Sequence, residues 1–117
     1  EVVRKPLIKW QESQAACDQL QMNELSEIEA IMLDQLSLPN SQLSLKGREL
    51  LDQIESITGR ACFQYLYRVG GDSFEQEITR RCPSCDSHWR VNKPLFGLFD
   101  FKCDSCKLLS NISWDWQ

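Results

Sequence analysis

Two short cysteine turns decide the fold of this chain: Cys82-Pro83-Ser84-Cys85 and Cys103-Asp104-Ser105-Cys106. Residues 86–102 lie between them, and a separation of about 15 to 20 residues between two CxxC turns is typical of a tetrahedral zinc site. Disulfide frameworks rarely contain two such tight pairs of identical spacing. The pattern therefore predicts one structural Zn²⁺ held by Cys82, Cys85, Cys103 and Cys106, whereas the isolated Cys17 and Cys62 are expected to be small buried apolar side chains.

The predicted ligand set also limits the chemistry of the site. Four thiolates leave a zinc ion no open position for an activated water, so we expect no hydrolase and no enzymatic activity. His88 lies close to Cys85 in the sequence, but the four-cysteine set is already complete, and a surface position is favoured for it. A segment this small cannot be stabilised by burial alone, so we expect it to unfold without its metal.

Segments of strand character flank the cysteine turns, at residues 88–92, 98–102 and 108–114. They predict a three-stranded zinc ribbon over residues 80–117. The residue after the second cysteine of each turn often requires a positive φ. Here that residue is Asp86, which tolerates the geometry, and Lys107, which tolerates it less well.

The region before the ribbon is predicted to be mainly helical. Helical spacing of apolar residues predicts three helices. The first covers residues 11–22, and the second runs from a capping box at Ser26 to the stop at Pro39, with an apolar stripe that begins at Leu25. The third covers residues 44–58 and is followed by Gly59 as a left-handed cap. Alternation over 61–69 then predicts a strand, and residues 73–79 fit either a short helix or a strand. The predicted class is α+β, with a mainly helical domain at 1–79 that includes a strand near 61–69, and a zinc ribbon at 80–117.

Composition restricts the partners of the chain. Its 117 residues include 13 Lys+Arg and 17 Asp+Glu, a formal net charge of −4, and the acidic excess lies within residues 1–79. No apolar run approaches the roughly 18 to 20 residues of a membrane helix, so we expect no membrane partner. Nothing in the sequence predicts a small-molecule substrate. Reduced metal-binding cysteines are typical of the cytoplasm, which is the expected location.

Basic and aromatic residues are interleaved around the predicted ribbon. Aromatic faces could stack on unpaired bases while basic side chains meet phosphates. One alternative is that the aromatic side chains fill the small core of the ribbon and the charges are simply solvated. Another is a protein–protein interaction or adaptor module with purely structural zinc, in which Trp116 and the acidic helical half contact a protein. The candidate nucleic-acid-binding residues are Arg80, Arg81, Arg90, Lys93, Lys102, Lys107 and Trp89.

Several stretches of the chain resemble a known group of proteins. They are RRCPSC at 80–85, KPLFGLFDFK at 93–102 and CDSCKLLSNISW at 103–114, with GREL at 47–50 and YLYR at 65–68 upstream. Together they are similar to the C-terminal part of an uncharacterised family of proteobacterial zinc-ribbon-containing proteins, for which nucleic-acid binding is suggested. The resemblance implies that the four clustered cysteines are the zinc ligands, that nucleic acid is a partner, and that the chain is part of a longer protein. It implies no catalytic residue.

Overall fold

The chain folds as two compact units, residues 1–64 and residues 65–117. A computed structural model describes residues 3–21 and 26–117. The predicted position Met22 and the start of the stripe at Leu25 lie outside the described residues. The α+β class is confirmed, because helices precede a four-stranded sheet.

The first unit contains three helices: α1 (Arg4–Gln21), α2 (Ser26–Ser37) and α3 (Gln42–Thr58). Helix α1 begins earlier than predicted, because Pro6 falls in its first turn, where a missing N–H is tolerated. Each helix packs against the other two. Helix α3 is capped at both ends: the Ser41 hydroxyl accepts from the Ser44 amide at 3.1 Å, and Gly59, at φ +71, confirms the predicted left-handed cap.

A close approach between α1 and α3 depends on the single glycine within α3. The Trp10 ring lies over Gly47, where an added Cβ would be 2.7 Å from Cζ2 of the ring. The indole Nε1 of Trp10 donates to the Leu43 carbonyl at 2.7 Å. Gly47, which weakens a helix intrinsically, therefore lets a large aromatic side chain settle directly on the helix backbone.

The second unit is built on a sheet of four strands: β1 (Gln64–Leu66), β2 (Arg90–Leu95), β3 (Phe99–Cys103) and β4 (Leu108–Ser110). The order in the sheet is β1-β4-β3-β2, with β3 antiparallel to both β2 and β4. The predicted ribbon strands are β2, β3 and β4, although β4 ends sooner than expected and a 3₁₀ turn follows at Trp114–Trp116. The strand predicted near 61–69 is shorter and joins the same sheet beside β4.

The division between the units differs from the predicted boundary at 79/80. Residues 65–79 pack with the ribbon because β1 extends its sheet and because Glu77, on helix α4 (Phe74–Ile78), pairs with Arg80. Helix α4 lies in the segment for which the sequence fitted either a helix or a strand. The Ser73 hydroxyl caps α4 by accepting from the Gln76 amide at 3.1 Å.

The core of the second unit lies between the sheet and the cysteine turns. Trp89 stacks on Phe101 with ring centroids 5.1 Å apart, and the Trp89 Nε1 donates to the Arg80 carbonyl at 3.1 Å. No helix in the described ranges combines the length and the apolar character that crossing a membrane requires. The buried cluster consists of Leu66, Cys82, Trp89, Phe101, Cys103, Leu108 and Ile112.

Candidate metal centre

Four cysteines from the two predicted turns converge on one point. The Sγ atoms of Cys82, Cys85, Cys103 and Cys106 all lie within 4.8 Å of one another, so the group could hold a metal ion. Cys82 and Cys103 are buried, whereas Cys85 is exposed. The centre is therefore anchored in the core on one side and reaches the surface on the other.

Local backbone geometry explains how each turn presents two sulfurs to the same point. Asp86 and Lys107, which follow the two turns, have φ of +60° and +58°, as the sequence pattern predicted. In the first turn the Asp86 amide donates to the Cys82 carbonyl at 2.8 Å, and the Cys82 amide donates to the Ser87 carbonyl at 3.0 Å. These bonds close the loop and fix the direction in which both thiols point.

Hydroxyl and amide groups tune the thiols of the cluster. Hydrogen bonds from the hydroxyl and amide of Ser87 lower the pKa of Cys85 to about 6, and the Ser87 Oγ lies 2.9 Å from its sulfur. Burial raises the pKa of Cys82 to about 12. Burial also acts to raise the pKa of Cys103, but the Ser105 hydroxyl and the Cys106 amide outweigh it, so that this pKa lies below its usual value. The exposed Cys85 thiol therefore ionises more readily than the buried Cys82 thiol.

Two of the predicted nucleic-acid-binding residues are placed where they cannot contact a nucleic acid as expected. Trp89 is only 2% exposed, so its ring cannot stack on a base. The Arg80 guanidinium pairs with Glu77 at 3.2 Å and lies 4.8 Å from the centroid of the Phe101 ring. Burial lowers the pKa of Arg80 to about 10. Trp89 therefore belongs to the core of the second unit, and the partly buried Arg80 side chain is engaged by Glu77 beside it.

The remaining predicted contacts fall into two groups. Lys102 pairs with Asp104 at 3.2 Å, and Lys107 is half-buried. Arg81, Arg90 and Lys93 are exposed. Only these three of the seven candidates present an exposed side chain on the surface of the second unit.

The most exposed aromatic side chain of the second unit is one of those interleaved with basic residues around the predicted ribbon, although it is not among the seven candidate contact residues. Phe96 is 88% exposed and has φ +55 in the turn between β2 and β3. A signal was available, because Phe96-Gly97 falls between two predicted strands and hence at a hairpin turn. For Glu77 the sequence signals only the nearby Arg80, because its other partners, Arg68 and Ser113, are brought to it by the fold.

The fold and the cysteine cluster define a helical unit followed by a cysteine-rich sheet with a candidate metal centre. Residues 1–67 match the family model described as Domain of unknown function (DUF2310), and the chain belongs to this family. Residues 71–116 match a second model, described as Domain of unknown function (DUF8594). The expectation of an uncharacterised bacterial family is confirmed.

Two relatives from Haemophilus influenzae, each named "Uncharacterized protein", are 50% identical to the chain over 109 residues. The match covers 93% of this chain, 53% of one relative and 41% of the other. The chain therefore spans about half the length of the curated relatives it matches. No solved structure matches it.

Proposed function

We propose that the chain is a zinc-stabilised, non-catalytic binding module whose ribbon contacts single-stranded nucleic acid. The donor set supports zinc. Zn–S bonds of about 2.3 Å in a tetrahedron place sulfurs about 3.8 Å apart, and the Cys85 and Cys103 sulfurs are 3.6 Å apart. Four soft thiolates favour zinc over magnesium or calcium, which prefer oxygen ligands.

The donor set also supports the absence of catalysis by the metal. When all four positions are filled by cysteine, the ion has no site for substrate or water. Its role is then to fix the two turns and the strands between them. A site of reduced thiols fits the bacterial cytoplasm, where we place the protein.

The observation that carries nucleic-acid binding is the β2–β3 turn. Two-residue hairpin turns require positive φ and favour Asn, Asp or Gly, so a phenylalanine is an unusual residue at this position. Phe96 combines this backbone with a ring that is 88% exposed and available for base stacking. Arg90 and Lys93 are exposed on the adjoining strand, and no acidic residue occurs between Asp86 and Asp100.

The protein-binding alternative rests on the acidic helical half and on Trp116, which is 38% exposed. Trp116 is expected to dock a protein, but its Nε1 donates to the Gly70 carbonyl at 3.0 Å. This bond ties the C-terminal tryptophan back onto its own unit. The exposed Phe96 ring of the β2–β3 turn is better placed to contact a partner. The positive charge of Arg90 and Lys93 beside it favours an anionic partner.

The negative net charge of the chain means that binding is local and weak. Each phosphate neutralised in a single strand contributes about 0.7 to the slope of log affinity against log salt, so Arg90 and Lys93 together give a slope of about −1.4. Loss of one stacked base costs about 1–3 kcal/mol. The salt slope and the loss on removing the stacked ring can therefore both be measured even when the affinity is modest.

The test is fluorescence anisotropy of labelled single-stranded DNA, single-stranded RNA and duplex DNA, titrated with chain whose zinc content is verified by mass spectrometry. Phe96→Ala should weaken single-strand binding by about tenfold. Alanine retains a Cβ at the same φ, so the backbone strain is unchanged. The matched control is Phe74→Ala, which removes another exposed ring of the same unit.

Charge is tested separately from stacking. Arg90→Ala with Lys93→Ala should reduce the salt slope toward zero, whereas Arg60→Ala, an exposed arginine of the first unit, should leave it unchanged. Nucleic-acid binding is refuted if wild type shows no salt-dependent binding, or if Phe96→Ala and Phe74→Ala behave alike. Recovery of a protein that requires Phe96 would then favour the protein-binding alternative.

A further inference from the structure

A cavity of about 640 Å³ lies among α1, α2 and α3 of the helical unit. Its volume is within the range of small-molecule sites, roughly 300–1,000 Å³. The indole N–H of Trp10 already donates a hydrogen bond to the Leu43 carbonyl. The ring can therefore contribute an apolar surface to the cavity without leaving its N–H unsatisfied. The apolar walls are formed by Trp10, Ile31, Met32 and Leu43.

The charge around this cavity is opposite to the charge of its unit. Acidic residues outnumber basic ones in residues 1–64, yet half of the unit's six basic residues line the cavity. No carboxylate is among the lining residues of the described chain. Lys46 also contacts Glu49 at 3.4 Å, a pair in which both side chains are exposed. The basic lining residues are Lys5, Lys9 and Lys46.

We propose that this cavity binds a small anionic amphiphile, of which an aliphatic carboxylate is the simplest member. The aliphatic chain would be buried against the apolar walls, and the carboxylate would meet the lysine ammonium groups. This ligand class is one that the sequence does not predict. The proposal is independent of the ribbon, because every residue that carries it belongs to the helical unit.

The first experiment compares three eight-carbon ligands that differ only in their head group: octanoate, octanol and octylammonium. Two-dimensional NMR of the 117-residue chain follows backbone amides during each titration and gives both location and affinity. Octanoate should perturb amides of α1, α2 and α3 and bind about fivefold more tightly than octanol. Octylammonium should bind most weakly, because lysine repels it.

Variants test the cationic and the apolar parts of the site separately. Lys9→Glu should abolish the preference for octanoate over octanol, whereas Arg4→Glu, on the same helix but outside the lining, should preserve it. Ile31→Asp should weaken all three ligands or prevent their binding. Its control is Ile57→Asp, because Ile57 lies outside this cavity. Both variants should fold, since Ile31 is 57% exposed and Ile57 is 67% exposed.

Cys17 provides a second readout, since it also lines the cavity. Bound octanoate should slow alkylation of this thiol and leave alkylation of Cys62 unchanged. The proposal is overturned if none of the ligands perturbs the three helices, if octanoate and octanol bind equally, or if Lys9→Glu and Arg4→Glu have the same effect.

Discussion

The two units of this chain achieve order in opposite ways. The helical unit is regular over most of its length, yet its buried hydrophobic residues within the described part are only Val3, Leu36, Leu43 and Leu50. The second unit has short strands, but seven buried residues form one cluster, and two of them are cysteines of the candidate metal centre. Regular secondary structure and a dense core are therefore separate properties here.

The exposed side chains show the same contrast. Among the described residues, most of the large apolar side chains that remain exposed lie in the helical unit. In the second unit, even polar groups are buried and paired around Glu77. Within residues 3–21 and 26–64, the exposed large apolar residues are Ile8, Leu20, Ile28, Ile31, Leu38, Leu45 and Ile57.

Metal removal should have the largest effect and should act on the second unit alone. A structural zinc site supplies about 10–16 kcal/mol of apparent binding energy. Chelation should therefore abolish amide hydrogen-exchange protection in 65–117 and leave protection in α1–α3. Cys103→Ser should do the same, whereas Cys17→Ser should keep the metal content of wild type. If the chelated chain retained protection in β2–β4, burial alone would be holding the second unit together.

Glu77→Gln should have the next largest effect. The Glu77 carboxylate is 1% exposed, lies 2.8 Å from Arg68 Nη2, and accepts from the Ser113 amide at 2.9 Å. Removal of its charge leaves two arginines without their counterion, so we expect a loss of about 3 kcal/mol in urea unfolding of the second unit.

The helical unit offers a matched control for this substitution. Glu49 pairs with Lys46 at 3.4 Å on an exposed helix surface, so Glu49→Gln should cost no more than about 0.5 kcal/mol. Equal losses for the two variants would contradict the view that buried polar pairing belongs to the second unit.

The sequence predicts those parts of the molecule that depend on spacing along the chain. Cysteine spacing predicts which four thiols converge, and Gly59 predicts the end of α3, because caps and CxxC turns are local. The alternation near 61–69 predicts a strand but cannot show that it lies beside β4, since strand order depends on distant partners.

Burial is the property that sequence patterns leave open. Trp89 and Phe96 are both aromatic residues near basic ones, yet the first is buried and the second is exposed. Likewise, Arg80 counts as a basic residue in the sequence, and only the fold shows that Glu77 neutralises it. Candidate metal ligands were therefore predictable here, whereas candidate contact residues required the three-dimensional arrangement.

The smallest predicted effect concerns the pKa values of one thiol in each unit. Burial raises the pKa of Cys17 above its ordinary value of 9.0, in contrast to the lowered pKa of Cys85. A raised pKa favours the neutral thiol in the folded chain, so the associated stabilisation is present below the unfolded-state pKa and is lost as pH rises through the folded-state pKa. Iodoacetamide reacts with the thiolate, so the pH profile of Cys17 alkylation, resolved by peptide mass mapping, should lie at higher pH in the folded chain than in urea. Coincident profiles would show that the helical unit does not shield this thiol.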